Sequence, residues 1–229
     1  MSAQERTEAA RQAILSAACD VIAEAGLENV RMRMVAERAG VSTALLHYHF
    51  ANRDTLFLAA LKYSFANAGA ALYNAQPPTD RPHTWALTQI IEACLPVPGE
   101  LRRDFLLWQE LTLRATRHAD SAEAAVSLYH ELAEWIAEAV RAGIKAGEFN
   151  PARPDQALSG QAWSDATKSD PASLDAAEAV ARATAHQVIA LTQGYGSAML
   201  LGDAVLTLDA AREAVWCAVS RSLGLPLAA

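Results

Sequence analysis

The chain has 229 residues, 52% of them hydrophobic and 20% charged, which excludes a disordered polar chain and allows a sizeable buried core. Its formal net charge of -7 argues mildly against nucleic acid as a partner. Cys19, Cys94 and Cys217 are odd in number and far apart, each in an apolar helical context, so they read as buried hydrophobes in a reducing compartment rather than a disulfide framework.

Residues 5–25 place Ala10, Ile14, Ala18, Val21 and Ala25 three and four apart, the stripe of an amphipathic helix, and Gly26 closes it as a left-handed cap. A second helix runs from about Arg31 to Arg38 and buries Met32, Val35 and Ala39. Gly40 ends it, and Ser42 is placed to cap a short third helix. Asn52 caps a fourth helix carrying Leu56, Ala60, Tyr63 and Ala70. The proline-rich "QPPTDRPH" at 76–83 is the clearest break in the chain. Helical patterns follow at about 84–94, 100–117, 121–146, 173–200 and 208–223, with a polar, loop-like stretch at 151–172. The fold class is all-α: an N-terminal three-helix, helix-turn-helix domain over 1–52, a linking helix over 53–76, and a larger helical domain over 77–229.

Charge is unevenly spread. Residues 1–62 hold seven basic and seven acidic residues, so the rest of the chain carries the whole -7. A neutral head on an acidic body is compatible with phosphate contact, which needs only a local basic surface.

On a helical wheel, Thr43, Ala44, His47 and Tyr48 share an arc of about 140°, while Ser42, Leu45, Leu46 and His49 fall on the other side. Two helices joined by a tight glycine turn, the second short and presenting hydroxyl, imidazole and phenol groups, describe a helix-turn-helix. His47 and His49 point about 200° apart on a helix, so they cannot share a metal without outside ligands. No nucleophile–base pair accompanies them, which leaves a bland helical hairpin as the other reading.

The stretch "MRMVAERAGVSTALLHYHFANRDTLFLAAL" resembles the helix-turn-helix signature of the TetR family of bacterial transcriptional regulators. "AGEFNP" at 146–151 and "LTLDAAREAVWCAVSRSLGLP" are similar, less specifically, to regulatory domains of that family, and the C-terminal pattern loosely resembles its choline-responsive BetI-like branch. The resemblance implies a ligand-responsive, non-enzymatic DNA-binding regulator, in the first place a repressor, without a cofactor. The polar N-terminus, with no signal-peptide core and no window apolar enough to span a bilayer, leads us to expect a cytoplasmic protein. The resemblance carries roles for single residues as well. It implies that Thr43, Ala44, Leu45 and His47 face bases, that Tyr48 and His49 grip phosphates beside Ser42, and that Arg53 adds charge at the start of the fourth helix. Arg31 stands where the family often has Thr or Ser, and with Arg33 it could supply further phosphate charge. Leu45 stays open, since the wheel turns it toward the core and the resemblance toward DNA.

The resemblance also implies a small-molecule effector and a homodimer joined through residues about 173–223, bound to a palindromic operator. In residues 121–146, Val126, Tyr129, His130, Ala133 and Val140 form one apolar face and Leu128, Leu132, Trp135 and Ala139 the opposite one, as in a central helix. Trp85, Phe105, Trp108, Trp135, Trp163 and Tyr195, with Gln109, Thr112, Tyr129 and His130 as polar fixers, are candidates for a pocket that takes an apolar or aromatic effector; ordinary core packing is the competing reading for each. A metal effector held by His83, His118, His130 or His186 has no ligand spacing behind it. The rival of another class is a helical enzyme or ligand-binding module with a non-functional DNA-binding head.

Overall fold

A computed structural model describes residues 2–78, 80–151, 171–202 and 205–225. Among these residues the regular structure is helical: α1 (Ala3–Ala25), a 3-10 turn (Leu27–Asn29), α2 (Met32–Ala39), α3 (Thr43–His49), α4 (Arg53–Asn74), α5 (Pro82–Ala93), α6 (Glu100–Ala115), α7 (Ala119–Ala146), α8 (Pro171–Leu200) and α9 (Leu208–Leu223). No strand occurs among the described residues. The chain forms two compact units, one of residues 1–74 with 98–128, the other of 75–97 with 129–229. Residues 98–128 therefore count with the first unit, although they lie beyond the prolines that mark the clearest break in the sequence.

The first unit is built around α1. Its start is fixed by a reciprocal cap in which Ser2 Oγ accepts from the Glu5 amide (3.1 Å) and the Ser2 amide donates to Glu5 Oε2 (2.7 Å). Ile14, Leu15, Ala18, Val21 and Ile22 are buried along one side, packed with Val35 and Ala36 of α2, Leu46 of α3, Leu56 and Phe57 of α4, and Leu107 and Leu111 of α6. Ala10 and Ala25, at the two ends of the expected stripe, are only half-buried. Gly26 ends the helix at positive φ, but with ψ 144° it is not a left-handed helical cap; the chain turns directly into the 3-10 turn that buries Leu27.

Burial of side chains this large contributes about 1.5–3 kcal/mol each against exposure. Two ion pairs fasten α6 within the unit: Arg103 Nη1 to Asp20 of α1 at 3.2 Å, and Arg114 Nη2 to Asp54 of α4 at 3.0 Å.

In the second unit the core is made by Leu87, Ile90 and Ile91 of α5, Ile136 and Val140 of α7, Ala185, Val188 and Ile189 of α8, and Val215 and Val219 of α9. Along α7, Leu128 is buried in the core of the first unit, and Ile136, Ala137 and Val140 are buried in the second. The expected two-sided apolar helix is corrected here: Val126 and His130 are exposed, because the buried line follows 128, 136, 137 and 140 rather than 126 and 130.

The "AGEFNP" turn joins three helices of this unit. Glu148 accepts from the amides of His83 (3.1 Å) and Thr84 (2.8 Å) and from the Thr84 hydroxyl (2.9 Å), which satisfies the free N–H groups at the start of α5. The Phe149 ring packs close against Gly143 of α7, where an added Cβ would come within 2.2 Å of it. The Asn150 amide donates to Leu223 O at 2.8 Å, beside Gly224, which closes α9 in the left-handed conformation.

Candidate nucleic-acid interface

The turn between α2 and α3 is set by three consecutive sequence features. Gly40 adopts φ 67°, ψ 28°, a conformation that only glycine takes without strain, and its amide returns to the α2 carbonyls. Val41 N–H bonds to Ala36 O at 3.0 Å, and Ser42 then caps α3 by accepting from the Leu45 amide at 3.1 Å. Ser42 thus has a structural task besides the one the resemblance assigns it.

At seven residues, α3 is too short to be stable alone. Leu46, with none of its surface exposed, anchors it, and Phe50 is buried directly after it. Arg11 of α1 lies over the Phe50 ring, 5.9 Å from its centroid, holding the end of α3 against α1. Sequence reading missed this contact, because no periodic pattern relates residues so far apart in the chain.

What α3 leaves outside is the face drawn by the wheel. Thr43, Ala44, His47 and Tyr48 are exposed, Tyr48 at 76%. Leu45 is half-buried, so it is neither a core residue like Leu46 nor a freely presented side chain. His49 is also half-buried: its Nε2 is covered and has no hydrogen-bond partner, while its ring meets that of Tyr48 edge-on at 5.2 Å. A slim helix with hydroxyl, phenol, imidazole and methyl groups on one side has the donors and apolar contacts that base edges and phosphates require.

The expected cations divide sharply. Arg31 is exposed at the N-cap of α2 and makes no capping bond. Arg33 pairs with Glu37 at 3.5 Å. The Arg53 guanidinium is turned inward, donating to Leu27 O and Glu28 O of the 3-10 turn.

The proposed effector residues fall into both units. Phe105 (buried), Trp108 and Gln109 (half-buried) and Thr112 (exposed) belong to the first, where Trp108 packs against the core and Thr112 Oγ1 bonds to Trp108 O at 2.9 Å. Trp85, Tyr129, Trp135 and Tyr195 are half-buried and His130 is exposed in the second. Trp163 lies outside the described residues. Tyr129 stacks on His186 (centroids 5.8 Å, interplanar 19°), with its hydroxyl 2.8 Å from Nδ1. A cleft of ≈ 270 Å³ in the first unit is lined by Asp54, Leu58, Arg114, Arg117, His118 and residues 119–121, and by none of these candidates.

Among the described residues no helix is long and apolar enough to cross a membrane, and no group of three or more His, Cys, Asp or Glu is placed to hold a metal ion.

Comparison with known proteins fits the geometry of α1 to α4. The profile of bacterial regulatory proteins of the tetR family matches residues 14–60, and that of the BetI-type transcriptional repressor C-terminal domain matches residues 84–161. The chain belongs to the TetR family. Among curated members, the HTH-type transcriptional regulator RutR of Escherichia coli is 41% identical over 54 residues, 24% of this chain and 26% of RutR. The HTH-type transcriptional regulator BetI of Brucella canis is 33% identical over 73 residues, 32% of this chain and 37% of BetI. The matched stretches thus span about a quarter to a third of these relatives.

Solved structures extend the likeness in fold along the chain. A transcriptional regulator from Saccharomonospora viridis, in complex with choline, superposes with a TM-score of 0.67 at 24% identity, covering 93% of this chain and 97% of that one. A TetR-family regulator from a Rhodococcus species gives 0.67 at 23% identity, covering 94% and 99%.

Proposed function

We propose that this protein is a ligand-responsive, sequence-specific DNA-binding regulator, a repressor released from its operator by a small effector. The observation that carries this reading is the α3 face: Thr43, Ala44, His47 and Tyr48 stand exposed on a helix pinned by buried Leu46, inside the stretch that the tetR-family profile matches. Residues 1–52 are the DNA-binding head, 53–76 the linking helix, and 77–229 the effector-binding and dimerising part, to which the BetI-type repressor profile matches. Regulators of this family are transcription factors, not enzymes. On this reading the protein works beside its DNA in the cytoplasm.

Thr43, Ala44, Leu45 and His47 meet base edges in the major groove, and Ser42, Tyr48 and His49 meet phosphates. Arg53 serves the interface through the 3-10 turn it holds, rather than as a free charge. A homodimer through 173–223 brings two such helices to successive major grooves about 34–36 Å apart, or a multiple of it, on a palindrome. On α8, exposed Ala179, Ala183, Ala190 and Gly194 are small enough for close approach of a second helix, which supports that face.

The effector is a small apolar or aromatic molecule held in the second unit, where half-buried Trp85, Tyr129, Trp135 and Tyr195 offer aromatic faces. The same aromatic faces could instead hold a quaternary amine, such as the choline of the Saccharomonospora viridis structure, through cation–π contact. The effector releases DNA by binding the DNA-incompetent state more tightly, with α4 as the element whose position changes.

Gel-shift titration of the protein on DNA flanking its own gene tests the reading. A retarded, sequence-specific complex is expected, dissolved by a cell extract or a small-molecule panel that contains choline. No sequence-specific complex, with or without extract, would refute it.

A further inference from the structure

We infer that this helix-turn-helix surface grips DNA with almost no net charge, using Arg31 as the one unpaired arginine among the described residues 31–57. The inference rests on the DNA-binding reading above and concerns how that binding is achieved. Residues 31–57, all described, contain four arginines and no lysine. Arg33 is neutralised by Glu37 at 3.5 Å. Arg38 makes a two-pronged pair with Glu24 (3.0 and 2.6 Å) and has Asp20 at 4.0 Å. Arg53 is spent on the carbonyls of the 3-10 turn, with Glu28 and Asp54 at 4.0 and 3.9 Å. On α1, Arg11 lies over Phe50 with Glu8 at 3.8 Å, and Arg6 is not without a partner.

Arg31 differs from all of these. It stands exposed at the N-cap of α2 and makes no capping bond there. An arginine at this position forgoes the side-chain cap that Ser or Thr would supply, and it sits at the end of the helix where the backbone dipole disfavours a cation. Nothing among the described residues accounts for that placement, whereas a DNA phosphate would.

The consequence is functional. Non-specific affinity for DNA is almost wholly electrostatic, and the logarithm of affinity falls with the logarithm of salt with a slope of about -0.9 per phosphate neutralised. One free cation per protomer gives a slope near -1, or about -2 for a two-fold complex. Such a regulator binds random DNA feebly at physiological salt and relies on hydrogen bonds and base contacts from α3. Its ratio of specific to non-specific affinity is therefore large, and it tolerates salt better than a protein with a basic groove.

The test is fluorescence anisotropy at pH 8, where an ordinary imidazole is neutral, on a duplex that the protein itself has selected from a random pool, from about 50 to 400 mM salt. The expected slope is about -2 for the two-fold complex. Arg31→Ser, which offers α2 a better cap and so keeps the fold, should reduce the slope by about 1 per protomer. Glu37→Gln releases Arg33 and should steepen it by a similar amount while raising affinity for random DNA. A wild-type slope steeper than about -3, or slopes that neither substitution moves, would overturn the inference while leaving DNA binding intact. Failure to select any duplex at low salt would instead remove the reading on which the inference rests.

Discussion

The Arg53 guanidinium donates from Nη1 to the carbonyl oxygen of Leu27 at 3.2 Å and to that of Glu28 at 3.1 Å, so the first residue of α4 holds a turn 26 residues earlier in the chain. One guanidinium nitrogen serves both carbonyls, of which Leu27 O also accepts from the Val30 amide at 3.2 Å, and so ties the start of α4 to the turn after α1. Arg53→Ala removes both bonds. We expect it to lower the stability of the first unit by about 1 kcal/mol, a figure discounted for the partial exposure of the side chain. Thermal melting followed by circular dichroism reads this directly, and an unchanged melting temperature would show the two bonds to be incidental.

Leu46 is the anchor of α3, with no exposed surface. Leu46→Ala removes three carbons from a packed site and should destabilise the protein by about 2–5 kcal/mol. Urea denaturation should show the loss as a lower midpoint with DNA binding lost in parallel. A variant of wild-type stability would mean that α3 is not held by this residue.

How much of this was legible in the sequence depends on where the signal lay. Local signals were read well: Gly40, Ser42 and Asn52 mark the ends of α2, α3 and the turn before α4, since left-handed backbone and side-chain caps involve neighbours in the chain. The arc of Thr43, Ala44, His47 and Tyr48 also followed from spacing, because α3 is regular and only Leu46 is drawn fully inside. Contacts between distant residues were not legible. Arg11 over Phe50 and Arg53 on Leu27 look, as sequence, like ordinary surface charges. Periodicity suggested a central α7 apolar on both sides, yet Val126 is 54% exposed, because an apolar residue on a wheel carries no record of whether a neighbour covers it.

Glu148 provides a pH test. Burial opposes its ionised form, but the amides of Thr84 and His83 and the Thr84 hydroxyl outweigh that, holding the carboxyl below the ordinary glutamate range. A carboxyl whose folded value is depressed stabilises the fold above its unfolded value, near 4.5, and that contribution disappears as pH falls through the lower folded value. Melting temperature should therefore decline below about pH 4.5, and Glu148→Gln should flatten part of that decline while costing about 1 kcal/mol at pH 7. Identical pH profiles for the two proteins would contradict the capping role.

Gly224 is the strictest position in the second unit. Its φ of 63° is left-handed, and a Cβ there would lie 2.0 Å from the main-chain oxygen of Asn150. Backbone cannot yield as a side-chain tip can, so Gly224→Ala should cost about 2 kcal/mol or more. Gly147, also at positive φ but with open space around it, is the control: alanine there should cost about 1 kcal/mol. Equal melting temperatures for the two variants would show that the clash at Asn150 is relieved by movement.

The account's central claim is that the exposed face of α3 reads DNA, and Tyr48 tests it most directly. Its side chain is 76% exposed, so Tyr48→Ala should leave stability within about 0.5 kcal/mol. Affinity of this variant for a duplex selected by the wild-type protein, measured by anisotropy beside a matched melting curve, should fall at least about tenfold. Undiminished affinity, in a variant that melts like the wild type, would contradict the assignment of α3 as the DNA-reading helix.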